Sequence, residues 1–182
     1  LTGEDEERLA KVPTENTEAY TAYLLGRERL RDRKVAELRD AVDQFARAIE
    51  LDPQFAAAYA GLADACWLYW QFSRGHVSEH CPFADGEEEG SAKIDDLEPL
   101  VRKALSIDEE VAEAWVTLGI ILREKAFSQG GGSDVMWLIR EAQAALKKGI
   151  DLSPSFSEAY YWYARSLVFI YSYDDPPNGW LT

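Results

Sequence analysis

The chain has little of what metal, disulfide and membrane chemistry require. Its 182 residues include two histidines, two cysteines and a single methionine. Cys66 and Cys81 are too few for a disulfide framework, and their spacing fits no zinc finger; one bridge is compatible with an oxidising compartment. The longest apolar runs, such as Val116–Leu122, fall far short of the roughly 18–20 residues of a membrane-spanning helix. No charged start followed by an apolar stretch marks a secretion signal, and the chain opens at Leu1 without a methionine, so it reads as a domain of a longer protein. Basic residues are outnumbered, 19 against 33 acidic ones, for a formal charge of −14. Such a field repels phosphate backbones, which excludes nucleic acid as a partner. The glycines at 130–132 lack the following lysine and hydroxyl residue of a phosphate loop, and no nucleophile elbow or cofactor fingerprint is present. The expectation is a non-catalytic domain without a cofactor.

What is present is an apolar pattern that recurs. With 47% hydrophobic and 12% aromatic residues the chain can bury a real core. Three stretches share one spacing: AAAYAGLADACWLYW from Ala56, AEAWVTLGIILRE from Ala112 and SEAYYWYARSLVF from Ser157. Tyr59, Trp115 and Tyr160 align as the opening aromatic. Leu62 with Ala63, Leu118 with Gly119, and Tyr163 with Ala164 follow three and four positions on, then Cys66, Leu122 and Leu167. This is one face of a helix whose small residue lets a neighbour approach closely.

Each stretch is preceded by a second signature: AVDQFARAIELDPQ from Ala41, LVRKALSIDEE from Leu100 and AQAALKKGIDLSPS from Ala142. Ala41, Phe45 and Ala48 line one face of the first, and Ala142, Leu146 and Gly149 that of the third. Pro53 and Pro154 end their helices, since proline cannot continue one; Glu109 stands in the same place in the second. Helix pairs repeated in this way must stack to cover their own apolar faces.

Taken together, an aromatic, a Leu-Gly or Leu-Ala pair, a closing helix and a terminal proline resemble the tetratricopeptide repeat over about residues 15 to 172. Pro53 and Glu109 are 56 positions apart and Glu109 and Pro154 are 45 apart, against roughly 34 in that family. Both excesses fall inside hairpins. The opening PTENTEAYTAYLLGRERLRDR from Pro13, with AYAGLADA from Ala58, further resembles bacterial signalling proteins in which such repeats follow an adenylate cyclase, winged-helix or kinase module.

The resemblance implies an all-α superhelix of about three and a half hairpins with long insertions inside them. A short lead-in helix is expected at 4–11, hairpins at 17–51, 55–106 and 111–152, a lone helix at 156–171, and an irregular tail at 173–182. Pro99 requires the second closing helix to begin near Asp96.

The resemblance also implies a non-catalytic module that holds a protein or peptide in a concave groove. Carried over position by position, the groove comprises Tyr20, Tyr23, Arg27, Leu30 and Arg31; Ala57, Ala60, Asp64, Trp67 and Leu68; Glu113, Val116, Ile120, Arg123 and Glu124; and Glu158, Tyr161, Arg165, Val168 and Phe169. Aromatic and arginine side chains are frequent interface anchors. For Trp67, Tyr161 and Phe169, packing inside the stack is the competing reading. A subset of the family grips a partner's terminal carboxylate with lysines and asparagines, and here Tyr23, Arg27, Gly61, Glu113 and Thr117 occupy those places, so the clamp is absent.

Two further features stand outside the groove. The insertion QFSRGHVSEHCPFADGEEEGSA, residues 71–92, gathers His76, His80 and Cys81 as weak candidate metal ligands, and a metal-dependent enzyme built on them is the third reading after partner binding and self-association; its glycines and proline favour a solvated loop, and no metal is assigned. Residues Asp85 to Glu88 lack the alternation of an EF-hand. The last helix carries aromatics on several sides, the mark of a buried helix, and its cover is either a further helix or a second copy of the chain in a homodimer. No direct membrane contact is expected. As to compartment, the cytoplasm is favoured over the periplasmic part of a membrane-anchored signalling protein.

Overall fold

The computed structural model of the chain describes residues 13–73, 81, 97–129 and 135–174, with side chains of the final helix described through Val168. The expected lead-in helix at 4–11, the glycines at 130–132 and the residues beyond 174 lie outside the described residues. Among those described there are seven helices and no strand. They are α1 (Thr17–Leu30), α2 (Val35–Leu51), α3 (Ala56–Phe72), α4 (Glu98–Ile107), α5 (Ala112–Ser128), α6 (Met136–Leu152) and α7 (Ser157–Asp174). Tyr173 and Asp174, read from sequence as the start of the tail, are the last turn of α7.

Helix α1 starts at Asn16, whose side-chain oxygen accepts from the backbone N–H groups of Glu18 and Ala19, both at 3.0 Å. That satisfies two of the donors a helix start leaves open. The same side chain donates to the Leu51 carbonyl at 2.9 Å, tying the start of α1 to the end of α2. Between them Arg33 sits at φ 48°, the left-handed conformation that lets a short connection reverse.

The closing helices α2 and α6 are amphipathic. Leu38, Ala41, Val42, Phe45 and Ala48 are buried on α2, and Leu138, Ile139, Ala142, Ala145, Leu146 and Gly149 on α6. Helix α4 has ten residues against seventeen in each of those, and Pro99 lies in its first turn, where a missing N–H costs nothing. The α-helical ladder begins at Glu98; Asp96, the start expected from sequence, lies outside the described residues. Helices α3 and α5 have layers on more than one side and are buried around much of their circumference.

The turns from closing to opening helices share a bond in all three cases, from Asp52, Asp108 and Ser153 N–H to Ala48, Ala104 and Gly149 O at 2.9, 3.0 and 2.9 Å, and other bonds recur in two of the three. Phe55 N–H donates to Asp52 O at 3.1 Å, and Phe156 N–H to Ser153 O at 3.0 Å. Asp52 Oδ1 accepts from Gln54 N at 2.9 Å, and Asp108 Oδ1 from Glu110 N at 3.0 Å. The opening aromatics reach back to this turn: Tyr59 OH donates to Pro53 O at 3.3 Å and Trp115 Nε1 to Glu109 O at 2.7 Å. The bond uses a carbonyl that every residue has, so Glu109 replaces proline without losing it.

Packing within the stack turns on small residues. A Cβ on Gly26 would lie 2.9 Å from Phe45 Cε1, and one on Gly119 would lie 2.5 Å from Leu146 Cγ. Phe45 and Leu146 hold the same place in their closing helices, so Gly26 and Gly119 are equivalent positions. In α7, Ala159, Trp162 and Ser166 are buried, and that helix packs on α6 and α5. Tyr160, Tyr161, Leu167 and Val168 are exposed, Val168 at 66%. The burial expected for a helix apolar on several sides therefore holds for one face only, because no described helix covers the other.

Candidate functional site

A cleft of about 390 Å³ opens between α1, α3, α5 and the residues leading into α7. Its walls are Tyr23 and Arg27 from α1, Ala57, Ala60, Asp64 and Leu68 from α3, and Glu113, Val116, Thr117 and Ile120 from α5. Leu30 at the end of α1, Gly61 on α3, Arg31 and Arg33 after α1, and Phe156 and Glu158 at the entry to α7 complete it. A second cleft adjoins it through Arg33, Phe156 and Glu158 and continues along Tyr161, Trp162 and Arg165.

The residues expected at such a groove separate into two groups. Tyr23, Arg27, Asp64, Val116 and Ile120 come together in the first cleft, and Tyr161 and Arg165 in the second. Tyr20 stacks on Tyr23 with ring centres 6.3 Å apart, exposed beside the cleft and not in its lining. The Tyr23 ring packs against Phe55 at 5.0 Å and Phe45 at 5.8 Å, and its hydroxyl accepts from Arg27 Nη1 at 2.9 Å. Burial pushes the Tyr23 phenol up from its ordinary value.

Trp67 and Arg123, also expected at the groove, line neither cleft. Trp67 is buried, stacked on Trp70 at 5.4 Å and meeting the edge of Trp162 at 6.3 Å. Arg123 is 4% exposed, with its guanidinium over the rings of Phe127 and Trp162 and paired with Glu124. A planar, weakly hydrated guanidinium tolerates such stacking where an ammonium would not. Burial lowers its pKa. The side chain of Phe169 lies outside the described residues.

Two ion pairs cross the first cleft. Arg27 Nη1 lies 3.2 Å from Glu113 Oε1, joining α1 to α5, and Arg33 Nη2 lies 3.8 Å from Glu158 Oε1, joining the α1–α2 connection to α7. Arg33 and Phe156 were absent from the sequence-derived groove. They sit in connections whose placement follows from how the hairpins stack, and no repeat position predicts it.

Asp64 lies at the floor of this cleft and retains partial access to solvent. Its carboxyl makes no hydrogen bond and no ion pair with another described residue. Burial, reinforced by Glu158 and Glu113 and opposed by Arg27 and Arg33, raises its pKa to about 7. An ionised carboxylate in a partly dry site has lost water contacts that nothing on the protein replaces.

The candidate metal site is corrected in one member. Cys81 is bonded to Cys66 of α3 in a disulfide, so its sulfur is not a free thiolate ligand. His76 and His80 lie outside the described residues. Among the described residues no cluster of histidine, cysteine and carboxylate side chains is arranged to hold an ion. No helix among them is long and apolar enough to cross a membrane.

No family model and no curated protein matches the sequence. Solved structures do match. The first TPR domain of human RPAP3 is 13% identical, with a TM-score of 0.57, covering 87% of this chain and 97% of that one. The first TPR of Spaghetti (RPAP3), bound to the HSP90 peptide SRMEEVD, is 13% identical over the same shares, with a TM-score of 0.53. An Arabidopsis OM64 TPR domain is 17% identical, with a TM-score of 0.53, covering 81% of this chain and 93% of that one. At such identities the likeness concerns the backbone: the chain has the all-α superhelical fold of tetratricopeptide-repeat domains.

Proposed function

We propose that this chain is a non-catalytic binding module that holds a peptide or protein segment in the groove formed by α1, α3, α5 and the start of α7. The observation that carries the reading is the convergence of Tyr23, Arg27, Asp64, Val116 and Ile120, from three successive opening helices, on one cleft. Its mixture of apolar wall and fixed polar groups suits a segment read by a few side chains. One structural neighbour is bound to an HSP90 peptide, which supports a peptide-binding use of this fold. The ligand here is of another kind, since Tyr23, Arg27, Gly61, Glu113 and Thr117 stand where the family's carboxylate clamp has lysines and asparagines. A regulatory setting, as in the bacterial signalling proteins the sequence resembles, fits a module of this type. The Cys66–Cys81 bridge favours an oxidising compartment over the cytoplasm for its work.

Selection from a displayed library of random dodecapeptides tests the reading. Enriched peptides should bind the native chain and lose affinity for an Ala57→Trp variant, which fills the cleft from a partly exposed wall position, with helix content unchanged. Failure to enrich any sequence, or equal binding to the variant, overturns it.

A second reading is favoured by the exposed row Tyr160, Tyr161, Leu167 and Val168 on α7: association of two copies through that face. Light scattering across a concentration series separates the two, because a mass that stays monomeric at all concentrations removes self-association.

A further inference from the structure

Resting on the groove reading above, we infer that the groove takes a basic partner segment, one of whose lysines sets its ammonium against the Asp64 carboxylate with its methylene stem along Ala60, Leu68 and Ile120. Three observations converge on a cation. Asp64 is the groove carboxylate left without a hydrogen bond or ion pair among the described residues. Of the three arginines lining the cleft, Arg27 pairs with Glu113 and Arg33 lies 3.8 Å from Glu158, so an acidic ligand would compete with these pairs, while Arg31 is exposed and makes no ion pair with a described residue. The whole chain carries a formal charge of −14, a field that speeds the approach of basic partners and slows acidic ones.

The shape of the site agrees with this chemistry. Ala60, Leu68 and Ile120 form a buried apolar floor beside Asp64, and the cleft's other carboxylates, Glu113 and Glu158, are held in ion pairs, an arrangement that matches a lysine, a charged tip on an aliphatic stem. An arginine would bring a fourth guanidinium, broader than an ammonium, against Arg27, Arg31 and Arg33. The charged and titratable groups facing Asp64 are Tyr23 and Arg27 on α1, Arg31 and Arg33 in the connection after it, Glu113 on α5 and Glu158 on α7. The two glutamates and burial together keep Asp64 reluctant to ionise, and an arriving ammonium relieves that cost.

Three acetylated, amidated nonapeptides with identical alanine and leucine flanks and a central lysine, norleucine or glutamate provide the probe. Methyl resonances of Val116 and Ile120 in the full chain report occupancy of the groove. At pH 8 the lysine peptide should bind about tenfold or more tighter than the norleucine one, the range of a charge-assisted hydrogen bond. That advantage should shrink as the pH falls below about 7, where Asp64 takes up its proton, and vanish at every pH in Asp64→Asn. The pH series on the unaltered chain keeps the test independent of how the variant folds. A lysine preference that is flat with pH or survives Asp64→Asn, or tightest binding by the glutamate peptide, overturns this inference and leaves the groove reading standing. Absence of any methyl shift with all three peptides also overturns it, and the groove reading is then decided by the library selection alone.

Discussion

Arg27 and Glu113 meet across the groove, guanidinium nitrogen to carboxylate oxygen at 3.2 Å, although 86 positions separate them in the chain. The pair links the first hairpin to the third without passing through the hairpin between them. Both side chains are more than two-fifths exposed, so solvent screens their attraction. A double-mutant cycle with Arg27→Gln and Glu113→Gln should give a coupling of about 0.2–1 kcal/mol that fades toward zero in molar salt. Coupling of several kcal/mol, or none at low salt, would show that the two residues are not paired in this way in solution.

The ring of Phe45 fills the space in front of Gly61, where an added Cβ would fall 2.4 Å from Cε1. The ring is fully buried and has nowhere to retreat. Gly61→Ala should therefore lose about 1–3 kcal/mol of stability by overpacking, despite alanine's better helix propensity. Combining it with Phe45→Leu should recover part of the loss, since the two sites share one space. Urea unfolding of the two single variants and the double variant decides the point, and an unchanged midpoint for Gly61→Ala would contradict this packing.

Asp64 makes stability depend on pH in a definite direction. Its folded pKa of about 7 stands above its ordinary value of 3.8, so between those limits the native state holds a proton that the unfolded chain has released. The native state binds more protons there, and stability falls as pH rises from about 4 to about 7, then levels off. Asp64→Asn removes this loss. Because the carboxyl keeps some access to water, we expect the variant to be about 1–3 kcal/mol more stable than the native chain at pH 8. The advantage should be much smaller at pH 4. Thermal unfolding at the two pH values measures the difference, and an equal effect at both would show that Asp64 ionises normally.

The disulfide between Cys66 and Cys81 closes a short loop, with a sequence separation of 15, onto the middle of α3. A crosslink of that length removes about 3 kcal/mol of unfolded-chain entropy. Purified from an oxidising compartment and denatured, the chain should titrate with no free thiol, and reductant should lower its unfolding midpoint. Two free thiols in the oxidised preparation, or a midpoint indifferent to reductant, would refute the bridge.

The repeat was legible in the sequence because its determinants are local. An aromatic at Tyr59 or Trp115 finds the carbonyl of residue 53 or 109 whatever lies elsewhere, and the apolar spacing of α2 and α6 defines one face regardless of partner. Those features alone determined an all-helical stack of hairpins. The groove was legible only in part. Repeat position pointed to Tyr23, Arg27, Asp64, Val116 and Ile120, which line one cleft, and also to Trp67 and Arg123, which line neither. Repeat position fixes the direction of a side chain from its own helix and carries no information about how far α7 closes over α3 and α5.

Tertiary packing decided the rest. Arrival of Trp162 buried Trp67 and Arg123, and stacking brought Arg33 and Glu158 together across the cleft from distant parts of the chain. Cys81 met Cys66 by the same route. Neighbour-to-neighbour spacing along a helix sets what each hairpin is, whereas burial, ion pairing and the raised pKa of Asp64 depend on distances between hairpins, which sequence order leaves free until the apolar faces have found one another.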